Sequence, residues 1–294
     1  MKRTVVIGVA ALMMFCLAAA GVFAHGHGHD DTPAKKKGIL LVAFGSSEDS
    51  AQISFENIDK KVKQAYPGIP VRWAFTSHII RHKLAKQGRA LDSPQVALAK
   101  MADEHFTHVA VQSLHTIAGA EFHDLRRIVG AFRMMGDFQH ISMGNPLLGT
   151  QEDMEKAVRA IVKSIPGKRK KNEAVVLMGH GTHHPANAFY AALAFQLQLE
   201  DPHIYLGTVE GYPDLDFIKD RLRANKIKKA WLMPMMSVAG DHAKNDMAGD
   251  EEDSWKSVLT EAGIKCEPVL KGTAEYDAFI DIWVEHLGES LNHF

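Results

Sequence analysis

The chain has 294 residues with net charge −1, 46% hydrophobic and 23% charged. That balance gives no electrostatic case for nucleic acid, and the length suits one large or two medium α/β-sized units rather than a disordered or fibrous chain. Only two cysteines occur.

Residues 1–24 read as a cleaved export signal. Met1-Lys2-Arg3 is basic, the stretch from Thr4 to Ala20 is apolar, and Val22-Phe23-Ala24 is a small-x-small cleavage site. The expected location is therefore the periplasm, with no stable membrane span after cleavage. Cys16 leaves with the signal, so Cys266 alone remains and an intramolecular disulfide is excluded. Residues 25–37 form a polar arm, with His25, His27 and His29 followed by Lys35-Lys36-Lys37. Alternating histidines of this kind suit auxiliary capture of a divalent metal, against the simpler reading of a linker.

Continuous apolar runs then alternate with helical periodicity. Gly38–Phe44 reads as a buried parallel strand, followed by a helix through Ile53, Ile58 and Val62. Val71–Phe75 is a second strand. Asp92-Ser93-Pro94 starts a helix with a capping hydroxyl and a proline in the first turn. Val109–Leu114 is a third strand, a helix starts near Glu121, Ile141–Gly149 is a weak fourth strand, and a helix spans Glu152 to Ile165. Pro166-Gly167 opens a basic linker, and the pattern restarts. Strands at Ala174–Met178, His203–Thr208, Lys229–Met236 and Ile264–Leu270 alternate with helices, ending in an amphipathic helix near Glu275–Leu291. Cys266 falls inside a strand and reads as an inert buried thiol. The expectation is two α/β lobes, residues 38–166 and 172–294, each a parallel sheet flanked by helices, with the last helix able to pack across the lobes or form a homo-oligomer contact.

The halves repeat. Leu40-Leu-Val-Ala-Phe-Gly45 aligns with Val176-Leu-Met-Gly-His-Gly181, setting Phe44 opposite His180. Ile117-Ala-Gly-Ala-Glu121 aligns with Val238-Ala-Gly-Asp-His242, and nearly the same offset separates Pro146 from Pro268. His180, His242 and Glu121 thus lie just past the carboxyl ends of parallel strands, where α/β folds place their ligands. Two imidazoles and a carboxylate suit Co(II), Fe(II), Ni(II) or Zn(II) and leave positions open for a substrate. The opposing readings are a backbone-bonded loop histidine for His180 and a helix-start carboxylate for Glu121. His115 and His123 flank the Glu121 loop and are candidates for a second metal or a haem-like group. The chain has no phosphate-cradling Gly-x-x-x-x-Gly-Lys-[Ser/Thr] loop, no dinucleotide fingerprint and no nucleophile elbow, so no nucleotide is expected.

Six segments carry a family resemblance: Leu41-Val-Ala-Phe-Gly-Ser46, Ala74-Phe-Thr-Ser77, Val111-Gln-Ser-Leu-His115, Met178-Gly-His-Gly181, Leu232-Met-Pro-Met235 and Val238-Ala-Gly-Asp-His-Ala-Lys-Asn-Asp-Met247. With them the chain resembles the anaerobic-type sirohydrochlorin cobalt chelatases, members of the class II chelatases. The resemblance implies a two-lobed chelatase fold with a tetrapyrrole in the cleft. It also implies ATP-independent insertion of Co(II), often also Fe(II), into sirohydrochlorin in cobalamin-type metabolism. It carries the metal-binding and catalytic roles to His180, His242 and Glu121. Ser46, Ser47 and Arg81 are candidates, by position, for partners of substrate carboxylates. The reading from a different class is a periplasmic metal- or haem-binding carrier on the same scaffold.

Overall fold

The computed structural model describes residues 34–294. The expected signal peptide and the arm histidines His25, His27 and His29 lie outside the described residues. Within the described residues the apolar runs form two four-stranded parallel sheets. The first contains β1 (Lys37–Ala43), β2 (Val71–Phe75), β3 (His108–Ser113) and β4 (His140–Gly144), in the order β2-β1-β3-β4. The second contains β5 (Ala174–Gly179), β6 (Ile204–Thr208), β7 (Lys229–Pro234) and β8 (Lys265–Pro268), in the order β6-β5-β7-β8. The same connectivity in both sheets is the structural counterpart of the sequence repeat.

Strand side chains alternate between faces, and this alternation divides the core. Ile39, Leu41, Val175, Leu177, Trp231 and Met233 turn into one shared interior. Leu40, Val42, Val109 and Val111 turn outward under α3 (Pro94–Asp103) and α4 (Ala120–Met135). Val176, Met178 and Leu232 turn outward toward α7 (Leu215–Ala224) and α8 (Trp255–Glu261). The shared interior also takes side chains from α1 (Gln52–Ala65), α5 (Gln151–Ser164), α6 (Ala188–Glu200) and α9 (Asp277–Leu291). One continuous core therefore holds both sheets and fixes the distance between their strand ends.

Local signals set the helix starts. Ser93 accepts from the Val96 amide with Pro94 in the first turn, as its sequence predicts. Thr150 and Asp153 form a reciprocal capping box on α5. The apolar period of α2 (His78–Lys86) is short: Leu84 is buried, Ile80 packs half-buried one turn before it, and His82, Lys83 and Lys86 are exposed, so sequence periodicity marks it weakly. Its start is set instead by Ser77, whose hydroxyl accepts from the Ile80 amide.

The last helix, α9, leaves the second sheet and packs on the first. Tyr66 donates to the Val284 carbonyl at 3.0 Å, and Ser142 donates to the Ser290 carbonyl at 3.0 Å. His286 is buried between the Asn145 carbonyl and the Asp153 carboxylate. Cys266 is half-buried in β8, and burial pushes its thiol up to about 11, which leaves it protonated and inert. No helix among the described residues is long and apolar enough to cross a membrane.

Candidate metal centre

Three adjacent strands of the second sheet deliver the site. His180 follows β5, Glu210 follows β6, and His242 follows the loop after β7. The His180 and His242 rings meet edge to face, with centroids 4.7 Å apart. His180 Nδ1 lies 2.9 Å from the Gly181 carbonyl, an acceptor, so Nδ1 carries the proton and Nε2 keeps its lone pair. His242 Nδ1 bonds the Asp246 carboxylate, which fixes the same tautomer. Both rings therefore present a bare Nε2, the form that binds a divalent ion, each held by the outer hydrogen bond typical of metal-ligating histidines. Glu210 brings a carboxylate oxygen to 3.8 Å from His180 Nδ1.

The backbone explains how these residues come together. The β5–β6 ladder continues past the strands: Val209 donates to the Gly179 carbonyl at 3.1 Å and Glu210 to the His180 carbonyl at 2.8 Å. Gly181 has φ +80, and a Cβ there would fall 2.7 Å from Thr208 Cβ and 2.9 Å from the Gly211 nitrogen. Only glycine lets the two loops approach this closely. Below them sits Tyr190, buried, its oxygen facing the amides of His180 and Gly181 and the Thr116 hydroxyl of the first lobe. Burial pushes this phenol up to about 12, so it stays neutral and acts as a floor for the histidine loop. His242 opens a single π-helical stretch, Ala243–Met247, that puts Asp246 under its ring.

The first lobe closes over this centre. Lys244 pairs with Glu48 at 2.5 Å, and Ser46 Oγ sits 3.2 Å from where a Cβ on Gly240 would stand. On the other rim, the His123 ring packs on His184 at 5.1 Å.

His180 and His242 come together. Glu121 does not join them: it is exposed on the first turn of α4 and forms no hydrogen bond or ion pair among the described residues. As the side chains stand, among the described residues no three His, Cys, Asp or Glu groups are already gathered for an ion, so Glu210, 3.8 Å from His180 Nδ1, lies beside the histidine pair and would have to turn toward an incoming ion to ligate it. The carboxylate beside the pair is Glu210, which sequence reading missed. It carried the same signal as His180, a polar residue just past a strand end and before glycine. Phe44, the repeat partner of His180, is half-exposed at the end of β1. Ser46 is buried and accepts from the Glu48 amide at 3.2 Å, so its hydroxyl is engaged in its own loop. Ser47 is half-buried. Arg81 has a buried Nε without a partner. His123 is half-buried in the cleft wall against His184.

His115 is not at the cleft mouth. Ser113 Oγ lies 2.8 Å from its Nδ1, its Nε2 is buried without a partner, and burial pushes its imidazole down to about 4. Between about pH 6.5 and 4 the unfolded chain binds a proton here that the folded chain does not, so stability falls as pH falls through this window. Urea unfolding of wild type and His115→Gln from neutral pH to pH about 5 should show a shallower acid loss in the variant, by up to about 2 kcal/mol. Parallel curves would contradict this assignment.

A chain of two parallel sheets with one strand order, and a strand-end imidazole pair facing the cleft between them, has the class II chelatase fold. The solved sirohydrochlorin chelatase SirB from Bacillus subtilis subspecies spizizenii in complex with cobalt superposes with a TM-score of 0.58 at 17% identity, covering 88% of this chain and 96% of that one. The family described as Cobalt chelatase (CbiK) matches residues 37–292. The sirohydrochlorin cobaltochelatase CbiKC of Nitratidesulfovibrio vulgaris is 49% identical over 260 residues, 88% of this chain and 92% of its own. The sirohydrochlorin cobaltochelatase of Salmonella typhimurium is 38% identical over 259 residues, 87% and 97% of the two chains. This chain belongs to the CbiK cobalt chelatase family.

Proposed function

We propose that the protein inserts Co(II) into sirohydrochlorin without a nucleotide, at the centre formed by His180, His242 and Glu210. The observation that carries this reading is the pair of bare Nε2 atoms at the strand ends, each fixed by a hydrogen bond on its other nitrogen. The names of the two relatives support the choice of metal and tetrapyrrole. The ion here is substrate: it arrives, is handed over and leaves in the product.

The chemistry balances simply. Insertion exchanges two pyrrole N–H protons for one divalent ion. His180 and His242 take the ion from water through Nε2, and Glu210 offsets its charge. As the ion passes to the macrocycle the freed imidazoles regain lone pairs next to the departing protons, and imidazole is the side chain suited to take a proton near neutral pH. Asp246 keeps the His242 ring oriented throughout. The expected result with purified protein, sirohydrochlorin and Co(II) under anaerobic conditions is conversion of the free-base absorbance spectrum to the cobalt product without ATP. Binding of both partners with no conversion contradicts it and favours the carrier reading.

Asp246 gives a separate prediction. Asp246→Leu should weaken Co(II) binding by about 10–100-fold in calorimetric titration, and Asp246→Asn, which keeps an acceptor, by less. Equal affinity in wild type and Asp246→Leu would remove Asp246 from the site. Export is part of the proposal and rests on residues 1–24. Amino-terminal sequencing of protein recovered from the periplasmic fraction should begin at His25, and recovery of the intact chain from the cytoplasm would overturn it.

A further inference from the structure

A second cluster of imidazoles lies at the other end of the first sheet, where β3 and β4 begin. The parallel register sets His108 directly against His140. Their rings lie 6.3 Å apart at 21°. His293, just past α9, continues the row at 6.4 Å and 26° from His140. Phe294 packs its ring against His108 at 5.4 Å and His140 at 5.2 Å. Beside the row opens a cavity of about 550 Å³ lined by Arg133, Gln139, His140, Ser142 and His293 among others.

Three histidines first suggest a metal, and the surroundings argue against one. Among the described residues no group of three His, Cys, Asp or Glu side chains is placed to hold a metal ion, and this row is no exception. The charges that bear on the row are Lys35, Lys37 and Arg133, all cationic. Among the described residues the histidine–carboxylate pairs all lie elsewhere, at His180, His242 and His286. Burial first, and then these positive neighbours and one another, hold His108 and His140 below the ordinary imidazole value. The side chains lining the cavity include hydrogen-bond donors and the Arg133 guanidinium and no Asp or Glu, a lining complementary to an anion. Arg133 spends one N–H on the Ile141 carbonyl at 2.9 Å and keeps others free.

We propose that this cavity binds a phosphate- or sulfate-type oxyanion group, held by His140, His293 and Arg133. It stands apart from the metal centre and does not depend on how that centre works. The probe is inorganic phosphate, titrated calorimetrically into the full chain against chloride at matched ionic strength. Wild type should show saturable one-site binding, weakened about tenfold or more in His140→Gln and in Arg133→Gln. Cobalt insertion should be unchanged in both. In wild type, phosphate should shift the histidine ring resonances of His108, His140 and His293 and leave those of His180 and His242 in place. The proposal is overturned by absence of saturable binding, by equal affinity in wild type and variants, or by resonance shifts confined to the cleft histidines.

Discussion

His180→Ala and His242→Ala should each lower the rate of cobalt–sirohydrochlorin formation by about 100-fold or more, the scale expected when a positioned acid–base group is lost. Each substitution leaves a single imidazole where two adjoining rings, 4.7 Å apart, present their free nitrogens. Folding should be almost untouched. The two side chains are 40% and 36% exposed and neither belongs to the core, so the change in unfolding free energy should stay within about 0.5 kcal/mol. Initial rates with saturating sirohydrochlorin, set beside urea unfolding curves, separate the two effects. A normal rate in either variant would remove that histidine from the reaction. A slow rate accompanied by a large loss of stability would turn it into a structural residue.

The largest effect on stability should come from His286, far from the chemistry. Its Nδ1 faces the Asn145 carbonyl at 3.1 Å and its Nε2 faces Asp153 Oδ1 at 2.9 Å. Both partners are acceptors facing the ring nitrogens, and the Asp153 carboxylate is the buried charge that the ring covers. The two side chains are 4% and 5% exposed. Burial alone would raise the Asp153 carboxyl, but the hydrogen bonds from His286 and Thr150 outweigh it and hold it below the ordinary carboxylate range. Asp153 also caps α5 through the Thr150 amide at 2.8 Å. His286→Ala strands that buried charge and removes one of the ties between α9 and the first lobe, at a cost of about 3–5 kcal/mol in urea unfolding. Because the Asp153 carboxyl is depressed in the folded state, its contribution is present above about pH 4 and is lost as pH falls further. A variant that unfolds at the wild-type urea concentration would show that the pair contributes nothing net, as some buried ion pairs do.

Much of the architecture was legible because parallel strands buried on both faces are continuous apolar runs. Gly38–Phe44 and Ala174–Met178 could hardly be anything else. The repeat was legible too, and the strand-end stretches it singled out carry His180 and His242, whose rings meet in the structure. The same repeat misdirected the search for a carboxylate. It paired His242 with Glu121 in the other half, although strand order places β6 beside β5 and so brings Glu210 to His180. Which strands are neighbours is a tertiary property that no local pattern encodes. α2 escaped notice for a different reason, since it buries one leucine and its start depends on the Ser77 cap alone. The destination of α9 was equally hidden: an amphipathic pattern says that a face will be covered, not by which sheet. Asp246 belongs to the same group, because its role depends on a π-helical turn that sets it under His242.

The incoming ion is expected on His180 and His242 within the second lobe, with Glu210 rather than Glu121 beside it. X-ray absorption at the cobalt edge, recorded on Co(II)-loaded wild type, His180→Ala, His242→Ala, Glu210→Ala and Glu121→Ala, tests this most directly. The expected result is at least two imidazoles on the ion in wild type, one fewer in each histidine variant, a lost oxygen ligand in Glu210→Ala and an unaltered shell in Glu121→Ala. An imidazole count unchanged by both histidine substitutions, or a shell that changes in Glu121→Ala and not in Glu210→Ala, would contradict it.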